Sequence, residues 1–303
     1  MNSIQSRAIP AFMSVLLLVA ACSGSPGNTS GDASARPPSQ TTSASIPTTE
    51  KSLTPAPDVI EGSFDVGGRE LYMRCSGSGS PTVVYLHGYI EDPGFTGHSS
   101  ARPIQDILDE DYRVCIYDRT NVGRSDSVDG PLDGESSVAD LHGLLDAAGI
   151  DPPYVLLAAS FGGLIADIYA ATYPDEVVGM VQLDCSLPGD VEEIDERFAP
   201  PEERIQPDGW IGTNEEIDEL AVYAQARALE GDLPVIPLTF LASPDLPPDP
   251  EMAAAIRALQ EEFVDRFSPG QLIRLDVPHY MEPVIPERIA EEVRGVIAAA
   301  EGD

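Results

Sequence analysis

Residues 154–163, YVLLAASFGG, join an apolar run to a serine and two glycines. The first six residues form a short continuous run, as expected of a strand that is buried on both faces of a parallel sheet. A serine on a tight strand-to-helix turn is held out at the strand end, where its neighbours must be small to avoid clashes. Ala158, Gly162 and Gly163 are small. The stretch therefore predicts that the Ser160 hydroxyl lies beside a helix N-terminus, which favours negative charge.

This stretch resembles the nucleophile elbow of the α/β-hydrolases, a motif usually written G-x-S-x-G. Ala158 stands at the first glycine position, and Ala159 stands where the family often has histidine. The resemblance implies that Ser160 is a nucleophile and that the backbone N–H of Phe161 is one donor to the oxyanion of a tetrahedral intermediate. A serine here disfavours the dehalogenase and epoxide-hydrolase branches, which use aspartate.

Two further stretches resemble the same family. Residues 84–89, VYLHGY, are similar to its oxyanion-loop strand. This similarity implies that the backbone N–H of Tyr89 is the second oxyanion donor and that His87 has a structural role. Residues 117–126, YDRTNVGRSD, are similar to the turn after its fourth strand. This similarity supports the same fold, and it implies that the turn contributes to packing rather than to catalysis.

The serine needs an adjacent base, because a hydroxyl is a weak nucleophile, and the base is most often histidine. The chain has four histidines. His142 lies inside a predicted helix, and the Gly and Ser content around His98 predicts a loop. His279 follows the last predicted strand and precedes 280–283, YMEP. This region is similar to the family's late G-H-x-x-x-E-x-P pattern, with Pro278 at the glycine position, so His279 is the expected base.

The acid that orients this histidine has two candidates, Asp184 and Asp245. Asp184 ends the predicted strand 177–184, where some branches of the family carry the acid. Asp245 follows the next predicted strand, which is the family's commoner placement. An unpaired carboxylate directly after a buried strand is costly, which favours Asp184, and both positions stay open.

Strand-like and helix-like segments alternate from residue 63 onward, which predicts a mostly parallel sheet with helices on both faces. The resemblance implies the α/β-hydrolase fold, with eight strands in the order 1-2-4-3-5-6-7-8. Residues 186–233 break the alternation, contain a predicted helix at 214–228, and are expected to form a small cap above the strand ends. The predicted strands are 63–66, 70–75, 82–86, 113–118, 154–159, 177–184, 235–242 and 271–277, and the predicted helices outside the cap are 137–148, 161–173, 250–267 and 286–300.

The family's strand order also bears on the cysteines. It makes the second and fourth strands neighbours, which implies a disulfide between Cys75 and Cys115. Cys185 would then be free and close to Asp184. A disulfide persists in an oxidising compartment. The sequence has no Cys-x-x-Cys pair and its histidines are scattered, so neither a metal nor another cofactor is expected.

The N-terminal segment indicates export. Residues 1–21 combine a basic residue with an apolar stretch too short to span a bilayer, which is typical of a signal peptide. Residues 19–22, VAAC, resemble the lipobox of bacterial lipoproteins, which implies cleavage before Cys22 and a lipid on its sulfur. The Ser/Thr/Pro-rich segment that follows predicts a flexible linker as far as residue 57, and 58–303 is the expected hydrolase domain. The expected location is the cell envelope, outside the cytoplasm and anchored to the membrane.

The composition argues against one class of partner. The chain has 17 Lys+Arg against 51 Asp+Glu, a net charge of −34, and it therefore repels the phosphate backbone of nucleic acids. The expected partners are a small-molecule ester and, through the lipid anchor, a membrane. The expected activity is cleavage of a carboxylic ester through an acyl-enzyme on Ser160. The alternatives are acyl transfer with the same triad and a non-catalytic envelope protein that uses the fold for binding.

Overall fold

The computed structural model describes residues 58–90 and 96–302. The expected signal peptide, Cys22 and the linker as far as residue 57 lie outside the described residues. Within the described ranges, every helix is too short or too polar to cross a bilayer.

Eight strands form one sheet: β1 (Val59–Asp65), β2 (Glu70–Ser76), β3 (Thr82–Leu86), β4 (Val114–Tyr117), β5 (Tyr154–Ala159), β6 (Val177–Leu183), β7 (Leu238–Ala242) and β8 (Gly270–Arg274). Their order is β1-β2-β4-β3-β5-β6-β7-β8, which confirms the order that the resemblance implies. β1 pairs with β2 and β2 with β4 in antiparallel register, and the other neighbours are parallel. The carboxyl ends of β3, β5, β6, β7 and β8 therefore meet at one edge of the sheet.

The described residues form helices α1 (Gly97–Leu108), α2 (Gly134–Ala147), α3 (Gly162–Thr172), α4 (Glu196–Phe198), α5 (Glu219–Leu229), α6 (Pro250–Val264) and α7 (Pro286–Glu301). The apolar side chains of α1 and α7 lie in one core, on one face of the sheet. Those of α2, α3, α5 and α6 lie in a second core, on the other face. The prediction of helices on both faces is confirmed.

The central strands send alternate side chains into the two cores. In β3, Val83 and Tyr85 join the core of α1 and α7, whereas Val84 and Leu86 join the core of α2 and α3. β5 divides in the same way. Because both faces are buried, these strands are continuous apolar runs in the sequence, and their predicted bounds agree with the structure.

The expectation of a loop around His98 is wrong, because α1 begins at Gly97. Glycine, two serines and an internal proline, Pro103, obscure this helix in the sequence. Ala101, Ile104 and Leu108 are nevertheless buried at helical spacing. That spacing is the signal by which the helix can be recognised.

Capping explains why α2 begins at Gly134, three residues before its predicted start. The Asp133 carboxylate accepts a hydrogen bond from the Ser136 N–H at 2.8 Å, and the Ser136 hydroxyl oxygen accepts one from the Asp133 N–H at 2.9 Å. These two bonds satisfy donors that the first turn of a helix leaves without partners.

The segment between β6 and β7 contains the predicted helix, which starts later than the sequence predicts. Its main helix is α5, which begins at Glu219 instead of residue 214. Residues 214–218 form no helix; the backbone φ of Glu216 is +51°, and an isolated bridge joins Ile217 to Leu132. Asp218 then caps α5 by accepting a hydrogen bond from the Ala221 N–H at 3.1 Å.

The structure contains a disulfide between Cys75 and Cys115. The two residues are register partners in the antiparallel pair of β2 and β4, and their Cα atoms are 4.0 Å apart. Cys185 is a free, buried cysteine.

Candidate active site

Ser160 lies on the turn from β5 into α3, with a backbone φ of +50°. This left-handed region is unfavourable for a residue with a Cβ atom, so the surrounding structure must hold the turn. The Ser160 N–H donates to the Leu183 carbonyl at 3.0 Å. The Ser160 carbonyl accepts from the N–H groups of Gly163 at 3.0 Å and Ser186 at 3.1 Å. These bonds fix the turn between β5 and the end of β6.

The small residues near Ser160 are required by close contacts. A Cβ atom on Gly162 would lie 2.3 Å from the Leu86 carbonyl oxygen, and one on Gly163 would lie 2.4 Å from the Cys185 Cβ. One on Gly88 would lie 3.1 Å from the Ser160 Cβ and 3.7 Å from its Oγ. The loop after β3 therefore passes directly beside the Ser160 side chain.

The side chain of His279 lies between Ser160 and Asp184. Its Nε2 atom is 3.1 Å from the Ser160 Oγ, and its Nδ1 atom is 2.7 Å from the Asp184 Oδ2. In the tautomer with its proton on Nδ1, the imidazole donates to the carboxylate and accepts from the hydroxyl. The three side chains then form a continuous hydrogen-bonded chain of carboxylate, imidazole and hydroxyl.

Asp184 directly follows β6 and is held by the neighbouring strand. Its backbone φ is +45°, and its N–H donates to the Leu241 carbonyl at 2.7 Å. Its Oδ1 atom accepts from the Ser243 N–H at 3.1 Å. One carboxylate oxygen is thus fixed by the backbone after β7, which leaves the other for the His279 ring.

Asp245 also contacts His279, but through the backbone. Its Oδ2 atom accepts from the His279 N–H at 3.2 Å. The Asp245 N–H donates to the Ser243 hydroxyl oxygen at 3.1 Å, and that hydroxyl donates to the Val277 carbonyl at 3.1 Å. Of the two acid candidates, Asp184 contacts the imidazole of His279, whereas Asp245 contacts the backbone N–H of the same residue.

The two expected oxyanion donors belong to segments that are close to Ser160. Phe161 precedes the first residue of α3, at a helix end where backbone N–H groups lack helical acceptors. Tyr89 follows Gly88, whose backbone approaches Ser160. The rings of Tyr89 and Phe161 meet edge-to-face with centroids 5.9 Å apart. This packing ties the two donor segments together.

His87 and His142 do not reach the site. Burial, together with the nearby Arg119 guanidinium, holds the pKa of His87 well below its usual range. The His87 Nε2 atom accepts from the Arg119 N–H at 3.3 Å, which suits a neutral ring that holds the loop. His142 lies on α2, 3.2 Å from a Glu176 oxygen, and stacks on Tyr173.

A buried acid that the sequence analysis treated only as part of a motif supports the loop after His279. Glu282 is 3% exposed, and its Oε1 atom accepts from the Tyr85 hydroxyl at 2.6 Å. That hydroxyl is also 3.2 Å from the Ser100 Oγ. Burial raises the pKa of Glu282. The network connects the loop after His279 to β3 and α1. Tyr85 and Glu282 are 197 residues apart in the sequence, so no local pattern predicts their contact.

A second acidic side chain lies near the site, in the segment after β6. The Asp190 Oδ2 atom accepts from the Leu187 N–H at 2.8 Å. Burial raises the pKa of Asp190 to about 7, and the negative charge of Asp184 contributes to the rise. The described residues contain no cluster of three or more metal-ligating side chains.

Comparison with known proteins agrees with this architecture. A family model described as "alpha/beta hydrolase fold" matches residues 81–210. The chain is 30% identical over 111 residues to the uncharacterized protein YqjL of Bacillus subtilis (strain 168), a match that covers 37% of this chain and 42% of that protein. The matched part therefore spans less than half of that relative's length.

Two solved structures show the fold. The 2-hydroxy-6-oxo-6-phenylhexa-2,4-dienoate hydrolase of Rhodococcus sp. strain RHA1 superposes with a TM-score of 0.57 at 18% identity, covering 80% of this chain and 100% of that chain. A putative ancestral haloalkane dehalogenase, AncHLD2, gives a TM-score of 0.58 at 20% identity, with coverage of 80% and 100%. The chain is therefore a protein of the α/β-hydrolase fold.

Proposed function

We propose that this protein is a serine hydrolase that cleaves a carboxylic ester through an acyl-enzyme on Ser160. The observation that carries the proposal is the hydrogen-bonded chain of Ser160, His279 and Asp184, with distances of 3.1 Å and 2.7 Å. A hydroxyl within reach of an imidazole that is itself oriented by a carboxylate is the arrangement of an activated nucleophile.

In the first half of the proposed reaction, the Ser160 Oγ attacks the ester carbonyl carbon and its proton passes to the His279 Nε2. The carbonyl oxygen becomes an oxyanion, which accepts hydrogen bonds from the backbone N–H groups of Phe161 and Tyr89. The intermediate collapses as the His279 Nε2 returns the proton to the leaving alkoxide. The alcohol departs and an acyl ester remains on Ser160.

In the second half, water attacks the acyl carbonyl and gives a proton to the His279 Nε2. Collapse of this second intermediate releases the carboxylic acid, and the same proton restores the Ser160 hydroxyl. Asp184 keeps the imidazole in the tautomer that accepts at Nε2 and stabilises its charged form in both halves. No atom changes its oxidation state in either half, and each proton that His279 takes up is given back within the same half.

A panel of esters with graded acyl length tests this proposal. We expect turnover in the wild type and a loss of several orders of magnitude in Ser160→Ala, with a residual rate ~10³–10⁴-fold over water from binding and the oxyanion donors. His279→Ala should lose turnover similarly, and His142→Ala, outside the site, is the matched control. Wild-type turnover in Ser160→Ala would contradict the proposal.

The same panel separates the hydrolase from its two alternatives. If an added alcohol acceptor captures most of the acyl group in place of water, the activity is acyl transfer with the same three residues. If no ester is turned over and Ser160 is inert to a fluorophosphonate, the protein is a binding protein on a hydrolase fold. Either result would replace ester hydrolysis as the function.

We also propose that the domain is held outside the cytoplasm by a lipid on Cys22. The disulfide between Cys75 and Cys115 supports this proposal, because such bonds persist in oxidising compartments. Two or three acyl chains on one cysteine would anchor the protein firmly in the membrane, whereas a single acyl chain gives only marginal membrane binding. Cys22→Ala should release the protein or leave its precursor unprocessed, as fractionation and intact mass would show. Unchanged processing and membrane retention would count against the anchor.

A further inference from the structure

A buried ion pair joins the turn after β4 to the segment between β6 and β7. The Arg119 Nε lies 2.9 Å from the Glu215 Oε2, and an Arg119 terminal nitrogen lies 3.0 Å from Oε1. The two side chains are 4% and 0% exposed. Burying two charges is costly unless further hydrogen bonds satisfy them. The groups that provide those hydrogen bonds therefore show which part of the structure the ion pair holds in place.

The remaining hydrogen bonds of the pair go to the loop after β3. The Arg119 guanidinium donates to the carbonyl oxygens of His87 at 2.5 Å and Gly88 at 2.7 Å. The Glu215 Oε1 atom accepts from the Ile90 N–H at 2.6 Å. The Asn214 amide adds a bond to the Ile90 carbonyl at 3.2 Å. The pair and its neighbour thus fix the backbone on both sides of Tyr89.

We propose that Arg119 and Glu215 are positioning residues for the oxyanion hole, and that they connect the β6–β7 segment to it. This inference rests on the proposed function, in which the Tyr89 N–H receives the developing negative charge. Such a donor is effective only when it is held at hydrogen-bond distance from the oxyanion. The loop has no helix or strand of its own at residues 87–90. The geometry of this loop therefore depends on Arg119 and Glu215, which form hydrogen bonds with its backbone carbonyl and N–H groups.

A partly buried ion pair that also contacts the turn after β4, Arg69 with Asp140, lacks these contacts with the loop after β3. Arg69 and Asp140 also form a salt bridge, with side chains 28% and 8% exposed. Asp140 accepts from Arg69 and from the Thr120 hydroxyl, and these bonds do not involve the loop after β3. Asp140→Asn is therefore a control that weakens a partly buried pair without touching the oxyanion segment.

The test compares Glu215→Gln with Asp140→Asn in the full-length protein. The amide oxygen of Gln can still accept from the Ile90 N–H, but the charge opposite Arg119 is gone. We expect kcat per titrated active site to fall ~10–100-fold, the loss typical of a ~1 Å misplacement, with KM nearly unchanged. The inhibition constant of a trifluoromethyl ketone, which forms a tetrahedral adduct on serine, should rise by the same factor. Asp140→Asn should change neither quantity.

Asn214→Ala keeps the inference testable if Glu215→Gln does not fold, because it removes only the bond to the Ile90 carbonyl. The same coupled change in kcat and inhibition constant is expected, at ~2–5-fold, in line with the loss of one neutral hydrogen bond. Unchanged kcat and inhibition in a folded Glu215→Gln, or in Asn214→Ala when Glu215→Gln fails to fold, would overturn the inference. Absence of Ser160-dependent turnover in the wild type would instead overturn the proposed function, and the inference with it.

Discussion

The Nδ1 atom of His279 lies 2.7 Å from the Oδ2 atom of Asp184. The other acid candidate, Asp245, reaches only the backbone N–H of the same histidine, at 3.2 Å. β6 and β7 are parallel neighbours, so residues that follow them meet at the same edge of the sheet. Both carboxylates therefore lie near the imidazole, but only Asp184 can set its tautomer.

Replacing each acid by its amide separates these two roles. Asp184→Asn should lower kcat by ~10²–10⁴-fold, because the amide no longer favours the tautomer that accepts at Nε2. Asp245→Asn should lower kcat by less than ~10-fold, because its oxygen can still accept from the backbone N–H. Steady-state kinetics on one ester measures both. A larger loss in Asp245→Asn would assign the acid to Asp245.

The glycine after Phe161 provides a stability test of the turn. A Cβ atom on Gly162 would lie 2.3 Å from the Leu86 carbonyl oxygen, whereas one on Gly62 in β1 would meet nothing within 4 Å. Gly162→Ala should therefore lower the free energy of unfolding by ~1–3 kcal/mol or more, as overpacking does. Gly62→Ala, the matched control, should leave it unchanged or raise it slightly. Urea unfolding measures both, and equal stabilities would contradict the close approach of β3 and α3.

The carboxyl group of Asp190 makes stability depend on pH. Its pKa is raised from 3.8 to about 7 in the folded state, so the folded chain binds more protons than the unfolded chain between these values. The contribution of Asp190 to stability therefore falls as pH rises through this window. Each unit of difference between the folded and unfolded pKa corresponds to ~1.4 kcal/mol in the free energy of unfolding.

Asp190→Asn should remove this dependence. Its stability advantage over the wild type should grow as pH rises from 3.8 to about 7, reach ~1 kcal/mol or more, and then level off. Urea unfolding across the window measures the difference, with Glu193→Gln, at an exposed position three residues further along the chain, as control. A difference that stays constant with pH would show that Asp190 is not the group responsible.

The local sequence pattern was sufficient to predict the strands that are buried on both faces of the sheet. The runs at β3 and β5 are continuous and apolar, so their bounds follow from the sequence, and so does the turn at Ser160. The acid could not be decided, because Asp184 and Asp245 both follow strands that end at the same edge. Which of them meets the imidazole depends on the backbone after β7, where the Ser243 N–H holds the Asp184 Oδ1.

The groups around the loop after β3 could not be found from local pattern at all. Arg119 and Glu215 are 96 residues apart, and each is an ordinary charged residue in an acidic sequence. Their burial becomes apparent only when the non-helical residues 214–218 are placed against the turn after β4. Helix α1 was missed for a different reason, since its short apolar spacing is interrupted by small residues and Pro103.

Covalent labelling of Ser160 tests the central claim most directly. The protein is treated with a fluorophosphonate, and the adduct is located by peptide mass spectrometry. The account predicts one adduct on Ser160 in the wild type, none in Ser160→Ala, and much slower labelling in His279→Ala and Asp184→Asn than in His142→Ala. A folded wild type that stays unlabelled, or that carries the adduct on another residue, would contradict the account.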